Sequence, residues 1–147
     1  MAGYMTKLQG YVYEGEFTNG TGAPVYNGQL LVLHSDGKKL VLPTADSTTK
    51  LICKDIEALY DGVPAARFQA NVLAKTYYLV ENLHEYNDAT EYDIAEYAIP
   101  ANAKVRAHAI LPGEEFVQGT LLPGSNGTAP TRVVGTAYGV LATGLVG

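Results

Sequence analysis

Residues 28–43, GQLLVLHSDGKKLVLP, contain two short apolar runs on either side of a turn signal. The runs are Leu30–Leu33 and Leu40–Leu42, and the pair Asp36-Gly37 lies between them. An Asp-Gly pair in this setting is the strongest short-range signal for a β-hairpin, because both residues tolerate positive φ. The stretch therefore predicts two antiparallel strands, and it favours a β fold for the chain around it.

The rest of the chain also consists of short candidate strands separated by turn residues. It has no long helical pattern and no fixed repeat, and Gly and Pro are spread along it. Residues 57–72 have apolar spacing that allows a short helical turn, although Gly62 and Pro64 interrupt it. The pattern predicts a mainly β protein, an antiparallel β-sandwich or barrel of about seven to nine short strands. The further candidate strands are residues 8–17, 51–56, 75–82, 91–100, 103–111, 114–121 and 132–144.

Residues 103–111, AKVRAHAIL, alternate most clearly between two faces of a strand. Because successive side chains of a strand point to opposite sides, one set is predicted to be buried and the other to face outward. The predicted inner set is Val105, Ala107, Ala109 and Leu111, and the outer set is Lys104, Arg106, His108 and Ile110.

The length of 147 residues suits one domain. We predict a single β domain over residues 1–147. Residues 2–8, AGYMTKL, carry one charge and precede the first alternating strand, so we expect them to form an extended N-terminal arm. Residues 122–130, LPGSNGTAP, are rich in turn residues and are predicted to form a loop before a C-terminal strand.

Composition and charge narrow the class of partner. Hydrophobic residues make up 47% of the chain and charged residues 17%, a balance that argues against intrinsic disorder. No apolar run reaches the roughly 18 residues that a membrane helix needs, and the N-terminus lacks the pattern of a secretory signal. The net charge of -5 provides no general attraction for nucleic acid or anionic lipid. We therefore expect neither a nucleic acid nor a membrane as a partner.

The residues that most often carry chemistry are present without the spacing that chemistry needs. His34, His84 and His108 form no HExxH or related ligand pair. Cys53 is the only cysteine, which rules out an intrachain disulfide and a zinc site built from cysteines. The chain also lacks a GxSxG nucleophile motif and a glycine-rich phosphate loop. We therefore expect no enzyme activity, no catalytic residues, no cofactor and no metal site.

A run of acidic side chains lies between Lys75 and Lys104 with no Lys or Arg among them. These acids account for the negative charge of the whole chain. Such a patch can meet a basic partner or hold a cation through oxygen ligands, while a solvated surface is the more common outcome of a charge run. The candidate interaction patch consists of Glu81, Glu85, Asp88, Glu91, Asp93 and Glu96.

Three stretches, GQLLVLHSDGKKLVLP (28–43), KTYYLVEN (75–82) with its acidic turn, and AKVRAHAILPGEEF (103–116), follow one another in the chain. Their order resembles that of small structural proteins of tailed-phage virions, of the head decoration or cement kind. The resemblance implies a structural protein that binds the outer surface of a phage head and stabilises neighbouring coat subunits. It also implies synthesis in the host cytoplasm, a final place on the capsid exterior, and the major capsid protein as partner. A homo-oligomer is expected, and a trimer is favoured by analogy with threefold sites on a shell.

In proteins of this kind an extended N-terminal arm commonly adds a strand to the coat protein. The resemblance therefore implies that residues 2–8 are the capsid-binding arm. The candidate contact residues are Tyr4, Met5, Lys7 and Leu8.

Other functions stay open from the sequence. One is another virion component, such as a tail, head-fibre or minor coat protein. A second is a small β-sandwich module that binds carbohydrate or another ligand, although the lack of Trp removes the residue with the broadest face for stacking on sugars. An enzyme is the least favoured, because no nucleophile–base or metal-ligand spacing is visible.

Overall fold

The computed structural model describes residues 14–58, 64–81, 98–122 and 127–147. These residues form nine strands and no helix, which confirms the mainly β class. The predicted arm at residues 2–8 lies outside the described residues. The strands are β1 (Glu14–Asn19), β2 (Leu30–Leu33), β3 (Lys39–Val41), β4 (Asp46–Ala58), β5 (Pro64–Val72), β6 (Tyr78–Val80), β7 (Lys104–Ala109), β8 (Glu115–Gly119) and β9 (Ala137–Val140).

The strands form one closed barrel and one open sheet. Five strands close the barrel in the order β1-β3-β2-β6-β7, and four form the sheet in the order β8-β5-β4-β9. Every pair is antiparallel except β1 and β3, which run parallel at Thr18 and Asn19. The prediction of antiparallel pairing is therefore correct for all pairs but this one.

The hairpin predicted at residues 28–43 is present, but its turn is longer than an Asp-Gly signal indicates. β2 and β3 pair antiparallel, and residues 34–38 connect them. Gly37 has a φ of +74°, whereas Asp36 keeps a negative φ and accepts hydrogen bonds from the amides of Lys38 and Lys39 at 2.8 and 3.1 Å. Both hydrogen bonds lower the pKa of Asp36, and the bond from Lys38 has the larger effect. The Asp36 side chain thus organises a five-residue connection.

The described part of residues 57–72 is strand, so the helical turn that the sequence allowed is wrong for it. Pro64 stands at the first position of β5, where a missing amide is tolerated. Ala66, Phe68 and Ala70 are all buried at a spacing of two, which is the period of a strand. In the open sheet β5 lies between β4 and β8 and pairs with both.

Two hydrophobic cores result, and strands β2 and β6 separate them. Leu31 and Val80 lie in the core inside the barrel, whereas Leu30 and Leu79 lie in a second core between the barrel and the open sheet. Because neighbouring residues point to opposite faces, both strands are buried on both sides. This explains why their sequences are continuous apolar runs. The open sheet contributes Leu51, Cys53, Phe68 and Phe116, among others, to the second core.

The alternation predicted for residues 103–111 is confirmed through β7 and fails just after it. Val105, Ala107 and Ala109 are buried inside the barrel. β7 ends at Ala109, and the next residues change roles. Ile110 is 3% exposed and joins the second core, whereas Leu111 is 37% exposed. The chain leaves the barrel here to enter the open sheet, so the strand period no longer applies.

Candidate functional site

One of the highly connected polar groups among the described residues is the guanidinium of Arg132. Its Nη1 donates to the carbonyl oxygens of Gln118 and Gly119 at 3.0 and 2.6 Å, and its Nε donates to that of Val146 at 3.1 Å. Its Nη2 donates to Oε1 of Gln118 at 2.9 Å, and its charge lies 5.1 Å from the centre of the Phe68 ring. Burial lowers the pKa of Arg132 to about 10, so the group remains a cation at neutral pH.

Gln118 extends this network to the barrel and to the C-terminal segment. Its Nε2 donates to the carbonyl oxygens of Gly28 and Gly144 at 2.6 and 3.1 Å, and its Oε1 accepts from the amide of Val146 at 2.7 Å. Arg132 and Gln118 thus join the open sheet, the approach to β2 and residues 144–146. We call this pair the polar clamp. Its hydrogen bonds join three parts of the fold that are remote in sequence, which indicates a structural role.

Sequence reasoning missed the polar clamp. The sequence pattern predicts Arg132 only as the start of a strand at 132–144, whereas β9 covers Ala137–Val140. The one signal available was that Arg132 is the only Lys or Arg after Arg106. A lone base in a weakly charged segment does not by itself indicate burial.

A second polar joint lies at the start of β4. Asp46 accepts hydrogen bonds from the hydroxyl groups of Thr48, Thr49 and Tyr77 at 2.7, 2.6 and 2.8 Å. The bonds from Thr49 and Thr48 hold the pKa of the Asp46 carboxyl well below its usual range. Burial, and to a smaller degree the hydrogen bond to Asp46, raises the pKa of Tyr77 to about 12. Tyr77 therefore stays protonated at neutral pH and donates its hydroxyl hydrogen bond to the Asp46 carboxylate.

Glu81 is the one member of the predicted acidic patch that the structure describes. Glu81 follows β6, and its Oε1 lies 3.3 Å from Nε2 of His108 on β7. The two side chains are 18% and 13% exposed, so Glu81 has a neighbour within the barrel wall. Across residues 14–58, 64–81, 98–122 and 127–147, no group of three potential ligands is placed to hold a metal ion. The other members of the patch, Glu85, Asp88, Glu91, Asp93 and Glu96, lie outside the described residues.

The outward face of β7 is basic, and a carboxylate of the barrel neutralises part of it. Lys104 Nζ and Arg106 Nη2 lie 3.3 and 3.7 Å from the carboxylate of Glu16 on β1. These groups are partly or largely exposed, so solvent screens the pairs. Two basic side chains of this face therefore share one carboxylate.

The predicted capsid-binding residues Tyr4, Met5, Lys7 and Leu8 lie outside the described residues, so their role stays a prediction. The description begins at Glu14, the first residue of β1. β1 pairs with β7 over five residues, from Glu14 to Thr18. Whatever precedes β1 is therefore joined directly to a strand of the closed barrel.

Cys53 and His34, two residue types that often carry chemistry, lie in different environments. Cys53 is fully buried, and burial raises the pKa of its thiol. His34 lies at the exposed hairpin turn with Nδ1 3.4 Å from Asp36.

Apolar side chains on the surface are the remaining feature. Two backbone hydrogen bonds join the turn at residues 133–136 to β4. The amide of Cys53 donates to the carbonyl oxygen of Thr136 at 2.9 Å, and the amide of Gly135 donates to the carbonyl oxygen of Cys53 at 2.7 Å. Ile56 lies three residues further along β4 than Cys53. The exposed large hydrophobic residues are Leu33, Leu42, Ile56, Val72, Leu111, Val133 and Val134.

No protein-family model, curated protein or solved structure matches the chain. The described residues contain no helix that could cross a membrane.

Proposed function

We propose that this protein is a structural virion protein that binds the outer surface of a phage head and stabilises neighbouring coat subunits. The major capsid protein is the partner, and the arm at residues 2–8 is the main contact. Its place is the capsid exterior, and it works as a homo-oligomer, with a trimer favoured by analogy.

The observation that supports this proposal best is the position of β1. The arm precedes a strand that is held on both sides, by β7 over five residue pairs and by β3 at Thr18 and Asn19. The described part of the chain begins in that closed barrel, and the polar clamp ties the barrel to the open sheet. A protein that reinforces a shell needs a body of this kind, whose sheets are joined to each other.

The chemistry of the described residues also fits a role without catalysis. Three highly connected polar groups, Arg132, Gln118 and Asp46, bond to other parts of the same chain. Surface recognition by extended backbone and apolar anchors needs no catalytic group. In the arm, Tyr4, Met5 and Leu8 are the anchors that would add to the main-chain bonds.

The test uses expanded heads assembled from a phage major capsid protein encoded in the same genome as this chain. Deleting residues 2–8 is expected to reduce binding to expanded heads in co-sedimentation, while the melting temperature stays nearly unchanged. A matched control keeps the length and replaces Tyr4, Met5 and Leu8 by Ser. If the full chain fails to bind these heads, the proposed function is wrong. If the deletion binds as tightly as the full chain, the contact is made elsewhere, with residues 20–24, which follow β1, and the predicted loop at 122–130 as the next candidates.

Electron microscopy of native particles separates this proposal from its alternatives. Density on the outer shell supports a decoration protein, whereas density on a tail or fibre supports another virion component. A glycan array tests the third candidate, a carbohydrate-binding module.

A further inference from the structure

After β9 the chain turns back along that strand. The amide of Gly144 donates to the carbonyl oxygen of Leu141 at 3.0 Å, which closes a tight turn. Val140 and Val146 then form an isolated bridge, so residues 141–147 add no strand to the open sheet. We call residues 141–147 the strap.

The strap covers one end of the second core with two apolar side chains. Leu145 is 4% exposed and Val146 is fully buried, and Val146 is a member of that core. Ala142 and Thr143, in the turn, are exposed. The strap is thus buried where it meets the core and solvated where it leaves β9.

The polar clamp holds the strap through side chains rather than through a β-ladder. Gln118 donates to the carbonyl oxygen of Gly144 and accepts from the amide of Val146. Arg132 donates to the carbonyl oxygen of Val146. These contacts bind the strap at separate points, and none of them is a rung of the barrel or of the open sheet.

The strap contacts the barrel at the start of β2. Nε2 of Gln29 donates to the carbonyl oxygen of Thr143 at 2.8 Å. The amide of Leu30, the first residue of β2, donates to the carbonyl oxygen of Gly144 at 2.9 Å. The Leu30 amide therefore has an acceptor that belongs to the strap, although Leu30 itself is part of a barrel strand.

The closed position of the strap requires glycine at position 144. Gly144 has a φ of +85°, and a Cβ added there would lie 2.6 Å from the carbonyl oxygen of Leu30 and 2.6 Å from Cγ of Gln29. The Leu30 oxygen belongs to the backbone of β2, so it cannot move aside without disturbing the barrel. A side chain at position 144 thus opposes the closed strap and loses both contacts once the strap has left.

Local opening takes place most readily in segments that few regular backbone bonds hold. Release of the strap breaks its bonds to Gln29, Leu30 and the polar clamp, while the ladders of both sheets stay intact. We propose that the strap opens and closes as a unit while the barrel and the open sheet stay folded. Opening uncovers the part of the second core that Leu145 and Val146 cover. The inference does not depend on the proposed role on a phage head.

Hydrogen exchange of the full-length ¹⁵N-labelled protein, followed by NMR at low urea concentrations, tests the proposal. The reporter amides are those of Leu30 and Val146, whose acceptors are lost when the strap opens. The control amides are those of Val80 in β6 and Ala70 in β5, whose acceptors lie outside the strap. The two reporters are expected to share one opening constant, larger than those of the controls by roughly tenfold or more.

The variant Gly144→Val should hold the strap open. Leu30 and Val146 are then expected to lose their protection, while Val80 and Ala70 stay protected. Gly135→Val is the matched control, because Gly135 has a φ of +86° and a Cβ added there has no atom within 4 Å. It has the same unfavourable backbone conformation without the close contacts, so both reporters should stay protected in it.

Three results would overturn the proposal. The first is a wild type in which Leu30 and Val146 have the same opening constant as Val80 and Ala70. The second is a Gly144→Val variant in which all four amides lose protection together, because the strap would then unfold only with the whole molecule. The third is a Gly144→Val variant whose reporters stay as protected as those of Gly135→Val.

Discussion

The two cores of this protein are closed in different ways. The barrel core lies inside strands that pair in a ring, so the sheet itself satisfies most of the backbone around it. The second core is closed at one end by residues 144–146, which do not form a strand of the open sheet. There the carbonyl oxygens of Gly144 and Val146 receive side-chain hydrogen bonds from Gln118 and Arg132.

The difference shows where a β protein needs buried polar side chains. A backbone carbonyl that is removed from water and left without a donor costs stability, so irregular segments against a core require donors from elsewhere. Ladders supply many of those donors in the barrel wall, and where the chain is irregular there, the buried side chain of Asn19 donates to the carbonyl oxygens of Ala23, Ile99 and Pro100. At the second core Arg132 and Gln118 supply them. The comparison leads to four predictions.

The largest effect is expected for Arg132→Met. The change leaves the carbonyl oxygens of Gln118, Gly119 and Val146 without their donor, which should lower the free energy of unfolding by about 3 kcal/mol or more. Arg132→Lys keeps the charge but not the forked geometry, so an intermediate loss is expected. Urea denaturation measures both. Arg106→Met, on the exposed face of β7, is the control and should cost less than about 1 kcal/mol. Equal losses for Arg132→Met and Arg106→Met would remove the distinction between the two cores.

The next effect concerns the strand that belongs to both cores. Leu79→Ala empties part of the second core and should cost about 3 kcal/mol, and Val80→Ala empties part of the barrel core and should cost about 2 kcal/mol. Leu33→Ala is the control, because Leu33 is 39% exposed at the end of β2. Thermal unfolding of the three variants gives the order of their stability losses. A Val80→Ala loss as small as that of Leu33→Ala would contradict burial of β6 on both faces.

A smaller effect is expected for Tyr77→Phe. The ring stays in the second core while the hydrogen bond to Asp46 is lost, which should cost about 1 kcal/mol. Tyr138→Phe is the matched control, because the Tyr138 hydroxyl bonds to the amide of exposed Val133, which water can replace. Denaturation midpoints of the two variants are compared. The prediction is wrong if Tyr138→Phe lowers the denaturation midpoint more than Tyr77→Phe does.

The smallest effect is a dependence on acid. The pKa of Asp46 in the folded protein lies below its ordinary value of 3.8. Protons therefore bind the unfolded chain more readily, and the stability from Asp46 is present above pH 3.8 and is lost as the pH falls below that value. Denaturation of the wild type and Asp46→Asn at pH 7 and pH 3 measures it. The difference between the two proteins should shrink at pH 3. A constant difference would show that the carboxylate contributes no charge-dependent stability.

The sequence predicted the strands whose side chains follow a simple period. The hairpin at residues 28–43 and the inner face of β7 are confirmed, because alternation and turn residues act over a few positions. Strand ends were less predictable. The candidate strand at 51–56 is part of the 13-residue β4, and the one at 75–82 is only Tyr78–Val80 as β6. Pairing partners decide where a ladder ends, and those partners are remote in the sequence.

The sequence by itself determined that this protein is mainly β and that its apolar residues alternate in short strands. Only the tertiary structure decided that five strands close into a barrel, that β1 and β3 run parallel, and that neighbouring residues such as Leu30 and Leu31 enter different cores. It also decided the burial of Arg132, whose partners lie 13 or more positions away. The physical reason is that periodicity records one residue's local geometry, whereas closure and hydrogen bonding across a core depend on segments that meet only after folding.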